Sequence, residues 1–244
     1  MRPLWAQART ELLLSLRQGE QLLVALGIPL LILVFFSLVD IVPTTTVEPI
    51  DTLAPAVFAL AVMSTAMVSQ GIATGFERHY GVLKRLAVTP LGRPRLLAAK
   101  TAVVVLTELA QGVVLTVAAL ALGWRPDPSP LLVVAAFALG TMAFSGIGLT
   151  LAGTLSGPAN LAACNGLYLV LLLFGGVVVP PAELPGVLRP AARLLPSGAL
   201  VDAFGSAAGG LDQASAQTWI VLAIWGAATP LVAATTFRWR GDAR

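Results

Sequence analysis

Long apolar runs alternate with short polar segments along this chain, and their lengths predict membrane-spanning helices. A helix needs about 20 largely apolar residues to cross the hydrocarbon core of a bilayer. Six segments meet this requirement, approximately Leu22–Val39, Leu53–Gly75, Thr101–Gly123, Leu131–Leu155, Leu161–Val179 and Thr218–Phe237. We therefore expect an all-α, polytopic membrane protein in which residues 1–244 form a single transmembrane domain.

Two segments outside these spans also show helical patterns. Residues Leu4–Gln18 place polar side chains on one face and apolar ones on the other, which predicts an interfacial helix within residues 1–20. The alternative is an ordinary frayed terminus. Residues 180–217 are rich in Pro and Gly, too interrupted to span and too apolar to form a solvated tail. Two short helices at the outer membrane surface are expected there, one near Val187–Leu195.

The composition indicates a protein that is embedded in a lipid bilayer. The chain is 57% hydrophobic and 11% charged, with a mean hydropathy of +0.87, and a soluble domain needs more charge to cover its surface. The net charge of +3 comes from bases gathered in a few places, which argues against a nucleic-acid-binding protein. One cysteine, Cys164, and one histidine, His79, exclude an intrachain disulfide and a metal site built from several such ligands.

The distribution of basic residues predicts the orientation of the spans. With six spans, both termini, the loop between the second and third spans and the turn at 156–160 lie on one side. That side carries twelve of the 15 Lys and Arg residues, and the other side carries three, Arg125, Arg189 and Arg193. Because cytoplasmic loops are enriched in Lys and Arg, both termini and the basic loop are expected in the cytoplasm, with the chain crossing the plasma or inner membrane of the cell.

Motifs of common catalytic sites are absent from the sequence. There is no phosphate-binding loop of the form GxxxxGK[ST], no nucleophile elbow and no zinc-protease helix. Catalysis would have to be built from His79 and scattered acids. We therefore expect no catalytic residue, no bound cofactor and no unaided ATP hydrolysis.

The loop between the second and third spans, residues 76–98, is longer than a simple connection requires. From Gly75 to Lys100 there are six Lys or Arg residues and one acid, Glu77. The pattern predicts a short helix over Glu77–Val88, ended by Thr89-Pro90, and a second break at Leu91–Pro94. Its apolar stripe consists of Tyr80, Leu83, Leu86 and Ala87, beside Arg78, Lys84 and Arg85. The alternative, bases that only hold the loop inside and touch anionic lipid, does not explain the length, the proline breaks or the stripe.

The stretch FERHYGVLKRLAVTPLGRPRLLAAK resembles the cytoplasmic segment between the second and third spans of ABC-2-type export permeases, most closely those of the daunorubicin-resistance-like multidrug and lipid exporters. The matching positions are Glu77, Arg78, Gly81, Leu83, Lys84, Arg85, Leu86, Thr89, Pro90, Arg93 and Lys100. The sequence departs from the pattern at His79, where an acid is frequent, and at Val82, where Thr is frequent. The order of interfacial helix, six spans and Pro-rich outer segment extends the resemblance over nearly the whole chain.

The resemblance implies that Glu77–Thr89 is a coupling helix seated in a cleft of a separate ATP-binding subunit. The residues expected to contact that ATPase are Glu77, Arg78, Gly81, Leu83, Lys84, Arg85, Leu86 and Thr89. Gly81 would permit close backbone approach, and Leu83 and Leu86 would supply the apolar contact. The bases Arg78, Lys84 and Arg85 would pair with acids of the partner. ATP and Mg²⁺ would be bound by the partner ATPase.

The resemblance also implies the other partners and the cargo. The expected partners are two cytoplasmic ATPase subunits, a second copy of this chain or a similar permease, and membrane lipid. The cargo would be an amphiphilic drug, lipid or lipid-linked molecule moved outward. The alternatives are a self-contained, proton-coupled secondary transporter that uses Glu108, and a membrane enzyme or assembly scaffold, for which no cluster of reactive side chains is found.

Three polar residues of the third span are candidates for the substrate path. Glu108 lies about 12 Å along the helix from Lys100, well inside the hydrocarbon, and Thr107 and Gln111 flank it at helical spacing. Either they line the path, or Glu108 is a packing residue bonded to another helix, for example at Ser69 or Gln70. The small-residue pairs Gly71-xxx-Gly75 and Gly148-xxx-Ala152 predict close helix packing.

Overall fold

The computed structural model describes residues 19–38, 49–87, 92–175, 186, 189–210 and 214–239. The interfacial helix predicted for Leu4–Gln18 and the predicted contact residue Thr89 lie outside the described residues. The described part is helical throughout its regular structure and contains no strand, so the predicted all-α class is confirmed for it.

Nine helices follow one another along the described part of the chain. They are α1 (Gly19–Leu38), α2 (Pro49–His79), α3 (Val82–Ala87), α4 (Gly92–Ala121), α5 (Pro130–Thr154), α6 (Gly157–Phe174), α7 (Arg189–Leu194), α8 (Pro196–Ala207) and α9 (Ala216–Thr236). Within α2, the segment Met63–Ser69 has the wider π-helical hydrogen bonding, a geometry found frequently at functional sites.

Five of these helices are long and apolar enough to cross a membrane. They are Pro49–His79, Ala99–Ala121, Pro130–Thr154, Gly157–Phe174 and Ala216–Thr236, and they correspond to the second to sixth predicted spans. The first predicted span falls in α1. Its apolar part among the described side chains, Leu26–Leu38, is shorter than the other five, so the first span stays a prediction.

Two predicted boundaries of the basic loop are wrong. The second span continues as helix to His79, and α4 begins at Gly92, about two turns before Thr101. Leu91, the first residue of the predicted second break, lies outside the described residues. Residues 92–94 of that break are helical, and Pro94 is the third residue of α4. In the first turn of a helix, the missing proline N–H costs no intrahelical bond.

The helices α2 and α5 form the centre of the bundle. Helix α2 contacts α1, α4, α5, α6 and α8, and α5 packs along α9 as well. The two helices lie close together at Gly71 of α2 and Gly148 of α5. A Cβ atom on Gly71 would lie 3.1 Å from the Cα of Gly148, and one on Gly148 would lie 2.6 Å from the main-chain oxygen of Met67. The predicted close packing of these small residues is confirmed.

The segment before the last span contains two short helices, α7 and α8, but α8 packs into the bundle and does not rest on its surface. It contacts the first half of α2 and the first half of α5, and Leu200 is fully buried. The ring of Phe204 lies 5.8 Å from that of Phe58 and 4.8 Å from that of Phe137. Aromatic burial therefore closes this end of the bundle, opposite the end at which α3 lies.

Candidate functional site

The predicted contact residues lie at the end of the bundle where α2 finishes and α4 begins. Helix α3 packs against the last turns of α2 and against α4. Its Leu83 is 1% exposed and Leu86 is half-buried, whereas Lys84 and Arg85 are exposed. The apolar side of α3 therefore faces the chain's own bundle, and its two cations face outward. Leu83 is buried within the chain and does not present the apolar contact with an ATPase that the resemblance implies.

A turn at Tyr80 and Gly81 separates α2 from α3. The N–H of Tyr80 donates to the oxygen of Phe76 at 2.9 Å, and the N–H of Gly81 donates to the oxygen of Arg78 at 3.1 Å. Gly81 has φ +72°, a left-handed conformation that favours glycine. The prediction of one helix from Glu77 to Val88 is therefore wrong, because the left-handed residue ends the first helix.

Gly81 has no close neighbour within the described chain. A Cβ atom on it would meet nothing within 4 Å. Glycine is therefore favoured here by the backbone conformation and not by crowding from described residues. Close approach by a partner, which the resemblance implies, stays a prediction.

Glu77 and Lys100 form an ion pair that joins α2 to α4. The Lys100 Nζ atom lies 2.8 Å from Oε1 and 2.7 Å from Oε2 of Glu77. The Lys100 side chain is 6% exposed and that of Glu77 is 31% exposed. The pair ties together the two ends of the loop, so Glu77 already has a partner inside the chain.

Arg78 points into the protein. Its side chain is 4% exposed, and its guanidinium donates to the main-chain oxygens of Gly153 at 3.1 Å, Arg238 at 3.4 Å and Leu155. Gly153 and Leu155 lie at the end of α5, and Arg238 follows α9. The carbonyls at a helix C-terminus have no intrahelical donor and carry partial negative charge, so a guanidinium is a well-matched partner.

Four of the exposed residues at this end, Tyr80, Val82, Lys84 and Arg85, form the surface that we call the basic face. Tyr80 is 69% exposed and Val82 is 40% exposed. The Tyr80 ring stacks on Phe76 with ring centroids 6.0 Å apart. Tyr80 was assigned to the apolar stripe of a single helix, and the turn at Gly81 instead places it at the surface. The glycine that follows Tyr80 is the sequence signal that could have predicted a turn here.

The substrate-path candidates of α4 bond to two other helices. Glu108 is 4% exposed and accepts a hydrogen bond at its Oε2 from the Thr141 hydroxyl of α5 at 2.5 Å. Gln111 is 3% exposed and accepts at its Oε1 from the Thr65 hydroxyl of α2 at 2.9 Å. The half-buried Thr107 donates to Val103 of its own helix.

Glu108 and Gln111 therefore lie between helices. The prediction that Glu108 bonds to Ser69 or Gln70 is wrong, since its hydrogen bond is to Thr141. The second carboxylate oxygen, Oε1, has no hydrogen-bond partner among the described residues. A role of Thr107, Glu108 and Gln111 in the substrate path stays a prediction.

No group of three His, Cys, Asp or Glu side chains that could hold a metal ion occurs among the described residues. The arrangement at the α3 end combines charged and hydrogen-bonding groups. It consists of an exposed cationic surface on one side and buried polar bonds to α4, α5 and the end of α9 on the other.

Comparison with known proteins identifies the family. A search of curated proteins finds no match to the chain. The family model of the ABC-2 type transporter matches residues 2–207, which is most of the chain. The match does not separate subgroups, so the daunorubicin-resistance-like subgroup stays a prediction. The chain belongs to the ABC-2 type transporter family and is a membrane-spanning permease component of an ABC transporter.

Proposed function

We propose that this chain is the permease subunit of an exporter driven by separate cytoplasmic ATPase subunits, and that the basic face is the surface they contact. The observation that carries the proposal is the asymmetry of α3: Leu83 is buried at 1% exposure, whereas Lys84 and Arg85 are exposed. A loop that served only as a connection would not need a helix with one face buried against the bundle.

Docking on the bundle gives α3 a defined orientation before any partner binds. Six residues are too few to form a stable helix alone, and complete burial of one leucine side chain contributes about 1.5–3 kcal/mol. The Glu77–Lys100 ion pair and the turn at Gly81 fix the start of the loop. A surface ordered in advance loses less entropy when a partner binds.

Charge supports a partner with acids. Lys84 and Arg85 are exposed and adjacent on α3, and cations of this kind set orientation and association rate more than affinity. In the structure, Arg238 lies at the same end of the bundle as Arg78, to which its oxygen is bonded. That collection of bases supports a cytoplasmic location for this end.

The direct test is to co-express this chain with ABC ATPase subunits from the same genome and to measure which of them co-purifies. The pair Lys84→Glu and Arg85→Glu reverses the charge of the basic face, and Arg125→Glu is a matched control because Arg125 is exposed at the other end of the bundle. We expect the double reversal to weaken ATPase binding about tenfold or more, which corresponds to about 1.4 kcal/mol, and to remove stimulation of ATP hydrolysis. The control should bind and stimulate normally.

The alternative function predicts the opposite dependence. A proton-coupled transporter that uses Glu108, the buried carboxylate of α4, would move cargo in vesicles without an ATPase and would stop when the proton gradient collapses. Transport by this chain alone would overturn the proposal. Transport that requires the ATPase and persists without a proton gradient would support it.

For the exporter, we further propose a location in the cell membrane with both termini in the cytoplasm, and an amphiphilic drug, lipid or lipid-linked cargo. The support is the family match over residues 2–207 and the twelve-to-three distribution of bases. A second permease subunit, identical or similar, would complete the transporter.

A further inference from the structure

We infer that Arg78 is a mechanical link: it joins the loop that carries the basic face to α5 and α9, so that a force on α3 moves the cytoplasmic ends of these helices as one body. The inference rests on the proposed function, because it requires an ATPase that pushes or pulls on α3. It adds the route by which that motion enters the bundle.

The hydrogen bonds of Arg78 define the link. One guanidinium nitrogen lies 3.1 Å from the oxygen of Gly153 and 3.4 Å from that of Arg238, and the other nitrogen donates to Leu155. The N–H of Arg238 also donates to the oxygen of Gly153 at 3.1 Å. The ends of α2, α5 and α9 are therefore joined pairwise, which resists relative sliding more than any one bond would.

The neighbouring residue extends the junction to α4. Glu77 pairs with Lys100 of α4, and Arg78 bonds to the ends of α5 and α9. Three residues after Arg78, Gly81 turns the chain into α3. The last turn of α2 thus lies between the proposed contact surface and three other helices.

The bonding pattern requires an arginine. A guanidinium presents several donors in a rigid plane, so its two terminal nitrogens bond to different acceptors here, whereas a lysine ammonium has one nitrogen and cannot replace both. Arg78→Lys therefore keeps the charge near the helix C-termini and loses part of the bonding, and Arg78→Gln loses the charge and most of the bonds.

The experiment compares Arg78→Gln and Arg78→Lys in proteoliposomes that contain the ATPase. Thr229→Val is the matched stability control, since the buried Thr229 hydroxyl donates to Ala143 between α9 and α5, away from the loop. We expect Arg78→Gln to bind the ATPase and stimulate hydrolysis while transport per ATP falls about tenfold, the size of effect that one charge-assisted hydrogen bond typically carries. Arg78→Lys should recover part of the loss, and Thr229→Val should leave transport per ATP unchanged.

A distance measurement separates a link from a purely stabilising role. Spin labels are placed at the exposed Ala73 of α2 and the exposed Thr236 of α9, with the buried Cys164 replaced by alanine. With Arg78 present, we expect the same label distance without nucleotide and with a non-hydrolysable ATP analogue. In Arg78→Gln the distance should change between the two states.

The outcomes distinguish the two proposals. Unchanged transport per ATP and an unchanged label distance in Arg78→Gln overturn the link and leave the proposed function intact. Failure of the wild-type chain to bind or stimulate the ATPase overturns the proposed function, and with it the link.

Discussion

The side-chain amide of Asn160 in α6 donates to the main-chain oxygen of Gly71 in α2 at 2.9 Å. Asn160 is fully buried, and a Cβ atom on Gly75 would collide with its side chain. Two glycines one helical turn apart therefore form the concave surface that admits this amide. Helix α6 is the least buried of the five long helices, so its attachment to the bundle depends strongly on this contact.

Replacement of Asn160 by alanine should therefore destabilise the protein. We expect Asn160→Ala to lower the free energy of unfolding by about 1–3 kcal/mol, because a buried bond between helices is lost and a void remains. The matched control is Asn165→Ala, which removes an exposed amide bonded only to Leu161 of its own helix and should cost less than about 0.5 kcal/mol. Denaturant unfolding in detergent measures both, and equal effects would contradict the assignment.

The two partners of the Glu77–Lys100 ion pair should not be equivalent. Lys100 is 6% exposed and Glu77 is 31% exposed. Glu77→Gln leaves a cation in the more buried position, whereas Lys100→Met leaves an anion that water still reaches. We expect Glu77→Gln to be the more destabilising change, by about 1–3 kcal/mol.

Unfolding measurements on the two single variants and the double variant give the coupling energy. A double variant that is more stable than Glu77→Gln alone would support the argument, since it removes the buried cation together with its acidic partner. A coupling energy near zero would show that the pair contributes nothing.

Substitutions at Gly81 separate the turn from the proposed docking. Gly81 has φ +72° and open space around its Cα. Asparagine adopts this conformation more readily than alanine, so Gly81→Asn should unfold close to the wild type and Gly81→Ala should lose about 1 kcal/mol. Gly81→Trp carries a similar backbone cost and should also fold, since its Cβ atom would meet no described atom within 4 Å.

The same variants should behave differently towards the ATPase. If a partner approaches the backbone here, Gly81→Trp will lose stimulation of ATP hydrolysis although it folds, whereas Gly81→Asn will lose less. Normal stimulation by a folded Gly81→Trp would contradict close approach at this position.

Periodicity and run length were sufficient to predict the five long helices and an apolar stripe on α3, but not that Leu83 of this stripe packs inside the chain. Apolar runs of about 20 residues leave few alternatives to a spanning helix, and the Leu83 stripe was visible as local spacing. The helix ends were less predictable. Gly81 ends α2 through its backbone conformation, and Pro94 is accommodated in the first turn of α4, neither of which follows from hydropathy.

The role of Arg78 could not be predicted from the sequence. A base beside a span end ordinarily indicates a surface residue, and its acceptors are main-chain oxygens 75, 77 and 160 positions away. Every residue has a main-chain oxygen, so the residue types in the sequence do not indicate which oxygens accept these bonds. The Thr141 partner of Glu108 was missed for a related reason, because a threonine in an apolar span usually bonds within its own helix, as Thr107 does.

The bond between Thr141 and Glu108 leads to a last prediction. Thr141→Val keeps the side-chain shape and removes the hydroxyl that donates to Glu108 at 2.5 Å. Thr141 donates to Oε2, and Oε1 of Glu108 has no hydrogen-bond partner among the described residues. The variant therefore leaves a buried carboxyl group, at 4% exposure, without its described donor. We expect a loss of about 1–3 kcal/mol in the free energy of unfolding, and less than about 0.5 kcal/mol for the control Thr107→Val.

Combining the two changes shows whether Glu108 serves packing or transport. Glu108→Gln retains an oxygen that accepts from Thr141 and gains donors, so it should be less destabilising than Thr141→Val, and the double variant should show a non-additive effect. If Glu108 only joins α4 to α5, cargo transport by Glu108→Gln with the ATPase should fall no more than stability and expression explain. Complete loss of transport in a stable Glu108→Gln variant would instead place this carboxyl group on the path, because an amide matches its shape and lacks only its charge chemistry.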